Sequence, residues 1–493
     1  MLEMRKPQDV YSESSVFFDE MSGSDGRIRD HYRFVHERFS QMSAEELGIR
    51  HQAMQTQMVK QGVTFTLYHE QQQEPLERTI PFDMIPRLIP AAEWDHLERG
   101  LQQRILAINR FLWDIYHEQN ILNDSVIPRS MVVTNCYYRP EMMGLALPGK
   151  AYTTLCGIDL IRDDNGHYYV LEDNLRTPSG LSYVYKNRQL MMRQFSDLYF
   201  KHSVRDMDHG LNDLLQTLRG LAPNDKRQPL IVLLTPGRFN SAYFEHTFLA
   251  QQMGIELVEG RDLLVSDHKV YMRGLGGLRQ VDVIYRRLDD DYIDPLAFRP
   301  DSMLGVAGLM NAYRAGNVAI ANAPGTGVAD DKAIYAFVPD MIRYYLNEEP
   351  ILRNVPTYIL SREEERDYVL SRLGELVVKE TSLSGGYGML IGPSASEQEI
   401  AEFAEKIGRH PERYIAQPTI KLSTAPSYCD GAIAPRHIDL RAFVIAGKKT
   451  RVIPGGLTRV ALKAGSLVVN SSQGGGSKDT WVMKEDVYAG ADG

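Results

Sequence analysis

What this sequence has little of narrows its class before any motif is considered. Cysteine occurs only at Cys136, Cys156 and Cys429, too few and too scattered for a disulfide framework. A reducing compartment is expected, and the chain is read as cytoplasmic. No apolar run approaches the ~20 residues that cross a bilayer, so no membrane association is expected. The opening Met1-Leu-Glu-Met-Arg-Lys-Pro has no apolar stretch behind it of the secretory type. Basic surplus is missing too: 64 acidic against 55 basic residues leave a formal charge of −9, which argues against bulk nucleic-acid binding. No Gly-x-Gly-x-x-Gly follows an apolar strand pattern, and no Gly-Lys-Ser/Thr closes a glycine loop. Dinucleotide and Walker-type readings therefore fall away. There is no internal repeat.

What is present is ordinary for a folded protein: 43% hydrophobic and 24% charged residues over 493 positions, long enough for two or three packed units. Residues 44–62 have few helix breakers. Trp94, Leu97, Leu101, Ile105, Ile108, Phe111 and Ile115 recur at three- and four-residue spacing, which predicts a long helix. Short β-rich segments follow from Pro148, and a helical pattern runs from Gly180 to Tyr199. Residues 207–325 alternate apolar strands near 229–234, 255–258, 281–286 and 318–322 with helical segments, the pattern of a small α/β unit with a largely parallel sheet. Beyond 326 the pattern is mixed, with a helix expected over 332–347 and a strand ending at Lys379. The glycine-rich stretch from Ser471 reads as the start of a flexible tail, 471–493.

The chemistry concentrates in Gly157-Ile-Asp-Leu-Ile-Arg-Asp-Asp-Asn-Gly-His-Tyr-Tyr-Val-Leu-Glu-Asp-Asn174. Asn165-Gly166 between apolar runs signals a two-residue hairpin turn, and a turn there would set Asp159 directly opposite Glu172. Facing carboxylates repel unless something neutralises them. Asn174 lies two residues on, along the same face. Two carboxylates and an amide oxygen form a hard-oxygen set suited to Mg²⁺ with phosphate and water; a solvated acidic hairpin is the competing explanation. The next loop, Leu-Arg176-Thr-Pro-Ser179-Gly180, is rich in donors for an anionic substrate. Further on, Lys379 precedes Ser384-Gly385-Gly386-Tyr-Gly388, a loop whose backbone N–H groups could close on phosphate. Taken alone, the loop is more readily a plain hairpin connection. Lys332 opens a helix, where the macrodipole opposes its charge, with Asp330 or Asp331 as N-cap. Arg441 and Arg459 sit in strand patterns and could clamp phosphate or carboxylate, or simply face solvent.

Together these pieces resemble the ATP-grasp fold. Ordinary members place the two lysines ahead of the magnesium carboxylates; here Asp159, Glu172 and Asn174 come first and Lys332 and Lys379 later. That order is similar to the circularly permuted, type 2 members, among them glutathionylspermidine synthetase-like ligases. The most specific stretches are Glu172-Asp-Asn-Leu-Arg-Thr-Pro-Ser-Gly, Asp330-Asp-Lys-Ala-Ile-Tyr and Pro454-Gly-Gly-Leu-Thr-Arg. The resemblance implies an α/β (α+β) permuted ATP-grasp protein. Its parts would be a helical N-terminal region with the metal segment (1–200), an accessory α/β domain (207–325) and a nucleotide-binding region (326–470). It implies Mg²⁺ on Asp159, Glu172 and Asn174. ATP would lie against Lys332, Lys379, the 384–388 loop and Gln417 at an adenine hinge. Arg176, Arg441 and Arg459 would be catalytic, and Ser179 and Gly180 would meet the substrate. The implied reaction is ligation of a small-molecule or peptide carboxylate to an amine through an acyl phosphate. An ATP-binding scaffold without ligation, or a phosphotransferase, remains an alternative. One departure stands out: those ligases carry an arginine where this chain has Gly157, and Arg176 is the candidate to replace it.

Overall fold

The structure, a computed structural model, describes residues 17–67, 76–382, 388–463, 465, 466, 469 and 474–485. Among them no helix is long and apolar enough to cross a membrane.

A nine-stranded sheet forms the centre. Its path runs from Arg353–Asn354 through Tyr168–Asn174, Leu155–Arg162, Ala432–Ala446, Leu457–Val460 and Gly476–Val482 to Phe82–Ile89, and two further strands pair with the long Ala432–Ala446. The long helix Ala91–Ile115 packs on it; its apolar positions cover most of its circumference because the central sheet, the helix Val338–Leu346 and the loops after residue 120 all bury parts of it. The accessory unit is a four-stranded sheet in the order Ala319–Ala321, Val283–Arg286, Ile231–Leu234, Glu256–Val258, parallel throughout. The first three are buried throughout because both faces are covered, whereas the edge strand Glu256–Val258 is buried only at Val258. Buried Asn322, just past the last of them, accepts from the backbone N–H groups of Thr154 and Leu155 at 2.7 and 3.1 Å and so ties this sheet to the first hairpin strand. An antiparallel three-stranded sheet over Leu263–Val281 lies inside the same unit; its alternating, half-polar pattern gives it no apolar run to stand out in the sequence. A last sheet, Tyr358–Ile359, Tyr414–Pro418, Leu376–Glu380 and Met389–Ile391, holds a small core of its own with the helices Glu363–Leu370 and Glu397–Arg409.

Three expectations change. The glycine-rich end is not a tail throughout: Gly476–Val482 is a fully buried strand, parallel to Phe82–Ile89. Its charges mislead the eye, because Lys478 is paired with Asp83 at 2.7 Å and Asp479 with Arg188 at 2.9 Å inside the protein. The helix expected over 332–347 is two, Lys332–Tyr335 and Val338–Leu346; Pro339 sits in the first turn of the second, where its missing N–H does no harm. The hairpin turn is also wider than two residues. Arg162 pairs with Tyr168, and Asp163 caps the loop by accepting from the N–H groups of Asn165 and His167 at 3.0 and 2.8 Å. Only Gly166 takes a positive φ, +83°, and the Phe18 ring fills the space a side chain would need. A β-bulge at Leu171 then restores the register, so that Asp159 does face Glu172.

Candidate active site

Asp159 is completely buried, and Glu172 lies across from it in side-chain contact, 27% exposed. The next strand brings Arg441 alongside by main-chain pairing with Asp159, and the strand after it brings Arg459 opposite Asp439. Arg441 grips Asp159 with two bonds, Nε to Oδ1 at 2.6 Å and Nη2 to Oδ2 at 2.8 Å. Arg459 adds a third to Oδ2 at 2.7 Å and holds Asp439 through Nε at 2.8 Å and through Nη2. Burial pushes the Asp159 carboxyl up, but Arg441 and Arg459 outweigh it and hold the group well below the usual carboxylate range. Of the three carboxylates Glu172 is the least tightly held, with Arg441 at 3.8 Å, while burial pushes the Asp439 carboxyl up.

The donor set can be weighed for a divalent metal. Asn174 sits two residues from Glu172 on the same strand face, and its buried Nδ2 has no hydrogen-bond partner. A loosely held carboxylate beside an amide oxygen fits a hard cation, and the unpartnered Nδ2 leaves that amide free to turn its oxygen inward. Asp159 fits once Arg441 yields one of its oxygens. Among the described residues no three His, Cys, Asp or Glu cluster as a metal site; this set contains two acids and an amide.

Lys379 donates to Gln417 Oε1 at 2.7 Å, and Gln417 donates on to Thr357 Oγ1 at 3.0 Å. Burial draws the Lys379 ammonium down to about 8, against the pull of Glu172 and Asp159 and with the help of Lys332. The two lysines and the two carboxylates thus share one field. Lys332 follows Asp331, which caps its helix through Ala333 and Ile334, and its N–H reaches the Thr381 carbonyl at 3.2 Å. Lys379 and Gln417 border a cavity of about 140 Å³ between the small-core sheet and the central sheet, walled by Ile161, Leu171 and Val355 and ending at Asp439. Gly388 is described, with φ +65°; Ser384, Gly385 and Gly386 lie outside the described residues.

Arg176 is not brought to the carboxylates. Its Nε is held by Asp330 at 2.8 Å, its Nη1 is 3.4 Å from Asp289, and the guanidinium covers the Tyr137 ring. Asp330 is thus an anchor for Arg176 and not the N-cap. Position 157 shows why no arginine stands there: a Cβ on Gly157 would lie 3.1 Å from Pro178 Cβ and 3.2 Å from Arg441 Cδ. Arg441, arriving from the neighbouring strand, occupies the space that a side chain at 157 would enter. Gly157→Ala is accordingly expected to displace Arg441 and lower turnover, by up to about 10²-fold if the shift reaches an ångström. A kcat equal to that of the parent protein would refute this packing argument.

Two supporting contacts escape sequence reasoning. Asp173 points away from Glu172 and Asn174 and is gripped by Arg104 of the long helix at 2.7 and 2.6 Å, both side chains buried. An arginine on the apolar Leu97–Leu101–Ile108 stripe was the available signal. Buried Glu245 accepts from the N–H groups of Gly180 and Ser182 at 2.8 and 3.0 Å and from Arg287, fixing the loop that carries Ser179. No local pattern announces it.

Comparison with known proteins shows the family to which this fold belongs. Residues 86–461 match the family described as circularly permuted ATP-grasp type 2. A Synechocystis protein is 53% identical over 469 residues, covering 95% of this chain and 97% of its own, and a Mycobacterium tuberculosis protein is 50% identical, covering 98% and 86%. A Frankia alni protein provisionally named glutamate–cysteine ligase 2-3 is 39% identical over 95% of this chain, which spans only 54% of that longer protein. Among solved structures, a glutathione synthetase-like effector from Globodera pallida superimposes with a TM-score of 0.58 at 12% identity, covering 90% of this chain and 98% of its own. That likeness concerns the fold alone.

Proposed function

Since the chain belongs to the circularly permuted ATP-grasp type 2 family, we propose that it is an ATP-dependent ligase that activates a carboxylate as its acyl phosphate and joins it to an amine. The observation that carries the proposal is the apolar cavity bordered by Lys379 and Gln417, which ends at Asp439 beside the arginine–carboxylate cluster. A base in this slot, with Gln417 offering an amide edge, directs its phosphates toward Lys379, Lys332 and the arginines. Glu172 and Asn174, joined by Asp159, would hold Mg²⁺, which neutralises phosphate charge and aligns the transferring group.

Arg441 and Arg459 stabilise the phosphoryl group as charge builds on its oxygens. A carboxylate oxygen of the substrate attacks the γ-phosphorus, the bond to the β-phosphate oxygen breaks, and ADP leaves. The amine nitrogen then attacks the acyl carbon, inorganic phosphate departs, and the amine releases a proton to solvent. The sheet around Lys379, with its separate small core, suits a lid that keeps water from the acyl phosphate.

The test is ADP and phosphate release by the purified protein with ATP, Mg²⁺ and a panel of paired carboxylates and amines. Pair-dependent release with an amide product is expected. ATP binding without pair-dependent release would favour a scaffold, and a phosphorylated product in place of an amide would favour a phosphotransferase.

The Lys379 ammonium makes a pH prediction. With its pKa at about 8, the group is charged at neutral pH and loses its proton as pH rises through that value. ATP affinity should therefore fall above pH ~8, steepening toward tenfold per unit, the limit for one linked proton. Lys379→Arg should bind ATP with a flat profile over the same range. A flat profile in the parent protein would remove Lys379 from the phosphate site.

A further inference from the structure

Two cavities on the accessory unit lie outside the nucleotide slot. The first, about 300 Å³, opens at the C-terminal ends of Ile231–Leu234 and Val283–Arg286 and is bordered by Thr177, Ser179 and Arg287. These two strands flank the point where the sheet order reverses: the chain runs outward from Ile231–Leu234 to Glu256–Val258 and then returns to its other side. Crevices at such points are the usual ligand sites of open α/β sheets. This one touches the reacting centre, because the Ser179 carbonyl accepts from Arg441 Nη1 at 3.2 Å and Arg441 grips Asp159. Its floor is rigid, with Arg287 donating to the Pro178 carbonyl at 2.7 Å and to Glu245 at 3.0 Å.

The second cavity, about 410 Å³, lies between the helices Leu181–Gln194 and Tyr243–Met253 and the turn at Gln61–Thr64. Asn240 and Ser241 border both cavities, so the two adjoin at these residues. The outer compartment contains Lys186 and Arg238 and no acidic residue. Lys186 donates to Gln61 Oε1 at 3.3 Å and lies 5.2 Å from the Phe248 ring centre, while Arg238 lies 4.9 Å from the Phe239 ring centre. Among the described residues neither has a carboxylate within salt-bridge distance. Two cations with no carboxylate partner among the described residues, in one pocket of a chain with net charge −9, focus a positive potential there. Gln61, Asn240 and Gln251 each add an amide that can both donate and accept, which matches peptide bonds.

We infer that these two adjoining cavities hold an acidic peptide in extended form, with the carboxyl to be activated at the Ser179 end and a second carboxylate between Lys186 and Arg238. The role of the Ser179 end rests on the ligase reading; the anion subsite stands on the cavity and its charges.

Titration calorimetry of the full chain separates the two, with Glu-Glu-Glu and its uncharged isostere Gln-Gln-Gln as probes. The acidic peptide is expected to bind about tenfold more tightly, the ratio that two partly exposed charge pairs supply. Lys186→Gln with Arg238→Gln should abolish that preference, and Arg238→Gln alone, at an exposed position, should remove part of it. A non-hydrolysable ATP analogue should bind all variants alike, which shows that they fold. Equal binding of the two peptides, binding of neither, or a preference that survives the double substitution overturns the inference. Preference for the acidic peptide with no ADP release on any carboxylate would refute the ligase reading and leave the anion subsite standing.

Discussion

Replacing Glu172 with alanine is expected to cut ATP turnover on the order of 10³-fold, the loss typical when a charge-stabilising group leaves a preorganised site, while thermal stability holds or rises. The two effects separate because the residue faces Asp159 across the sheet, where like charges cost about 0.2–1 kcal/mol. Arg441 and Arg459 hold Asp159 at 2.6–2.8 Å, whereas Glu172 is held only loosely, with Arg441 at 3.8 Å. Glu172→Gln keeps the shape and should lose turnover similarly, with Mg²⁺ no longer strengthening nucleotide binding. Turnover near that of the parent protein in either variant would show that the metal assignment is wrong.

Arg104→Met should be the most destabilising of the substitutions considered, by about 3–5 kcal/mol, because it leaves the Asp173 carboxylate buried without its cation. Arg104 also donates to Asn354 Oδ1 at 2.7 Å, so the same change loosens the edge strand beside the hairpin. Denaturant unfolding would measure the loss. Asp173→Asn combined with Arg104→Met should recover much of it, since the stranded charge is then gone. If the single variant unfolds like the parent, the buried pair does not anchor the hairpin. At temperatures where it stays folded, turnover should still fall, because Glu172 and Asn174 flank Asp173 on the same strand.

The outline of the fold was legible where hydrophobic periodicity is strong. The long helix at Ala91–Ile115 and the three buried strands of the accessory sheet all appear as apolar patterns, since each buries a continuous face. Gly476–Val482 was illegible for the opposite reason: Lys478 and Asp479 look solvated until Asp83 and Arg188, distant in sequence, are placed beside them. The hairpin lies between these cases. The sequence reading paired Asp159 with Glu172 through a two-residue turn, whereas the protein reaches that pairing with a wider turn and a compensating bulge at Leu171. Neither was legible locally: the turn's width follows from how Asp163 caps it, and the bulge is set by packing on both sides of the strand.

By itself, then, the sequence determined the chemical kinds and their order: an acid–acid–amide set at Asp159, Glu172 and Asn174, followed by Lys332, Lys379, Arg441 and Arg459. These follow from residue identity and short-range alternation, which the covalent chain carries. Tertiary structure alone decided which cation meets which anion. Arg441 took the place beside Asp159 that Gly157 leaves open, Arg176 was drawn away to Asp330, and Arg104 crossed from the long helix to Asp173. Partnerships of that kind depend on burial, because desolvation makes a charge seek its counter-ion, and burial is not a property of any local stretch.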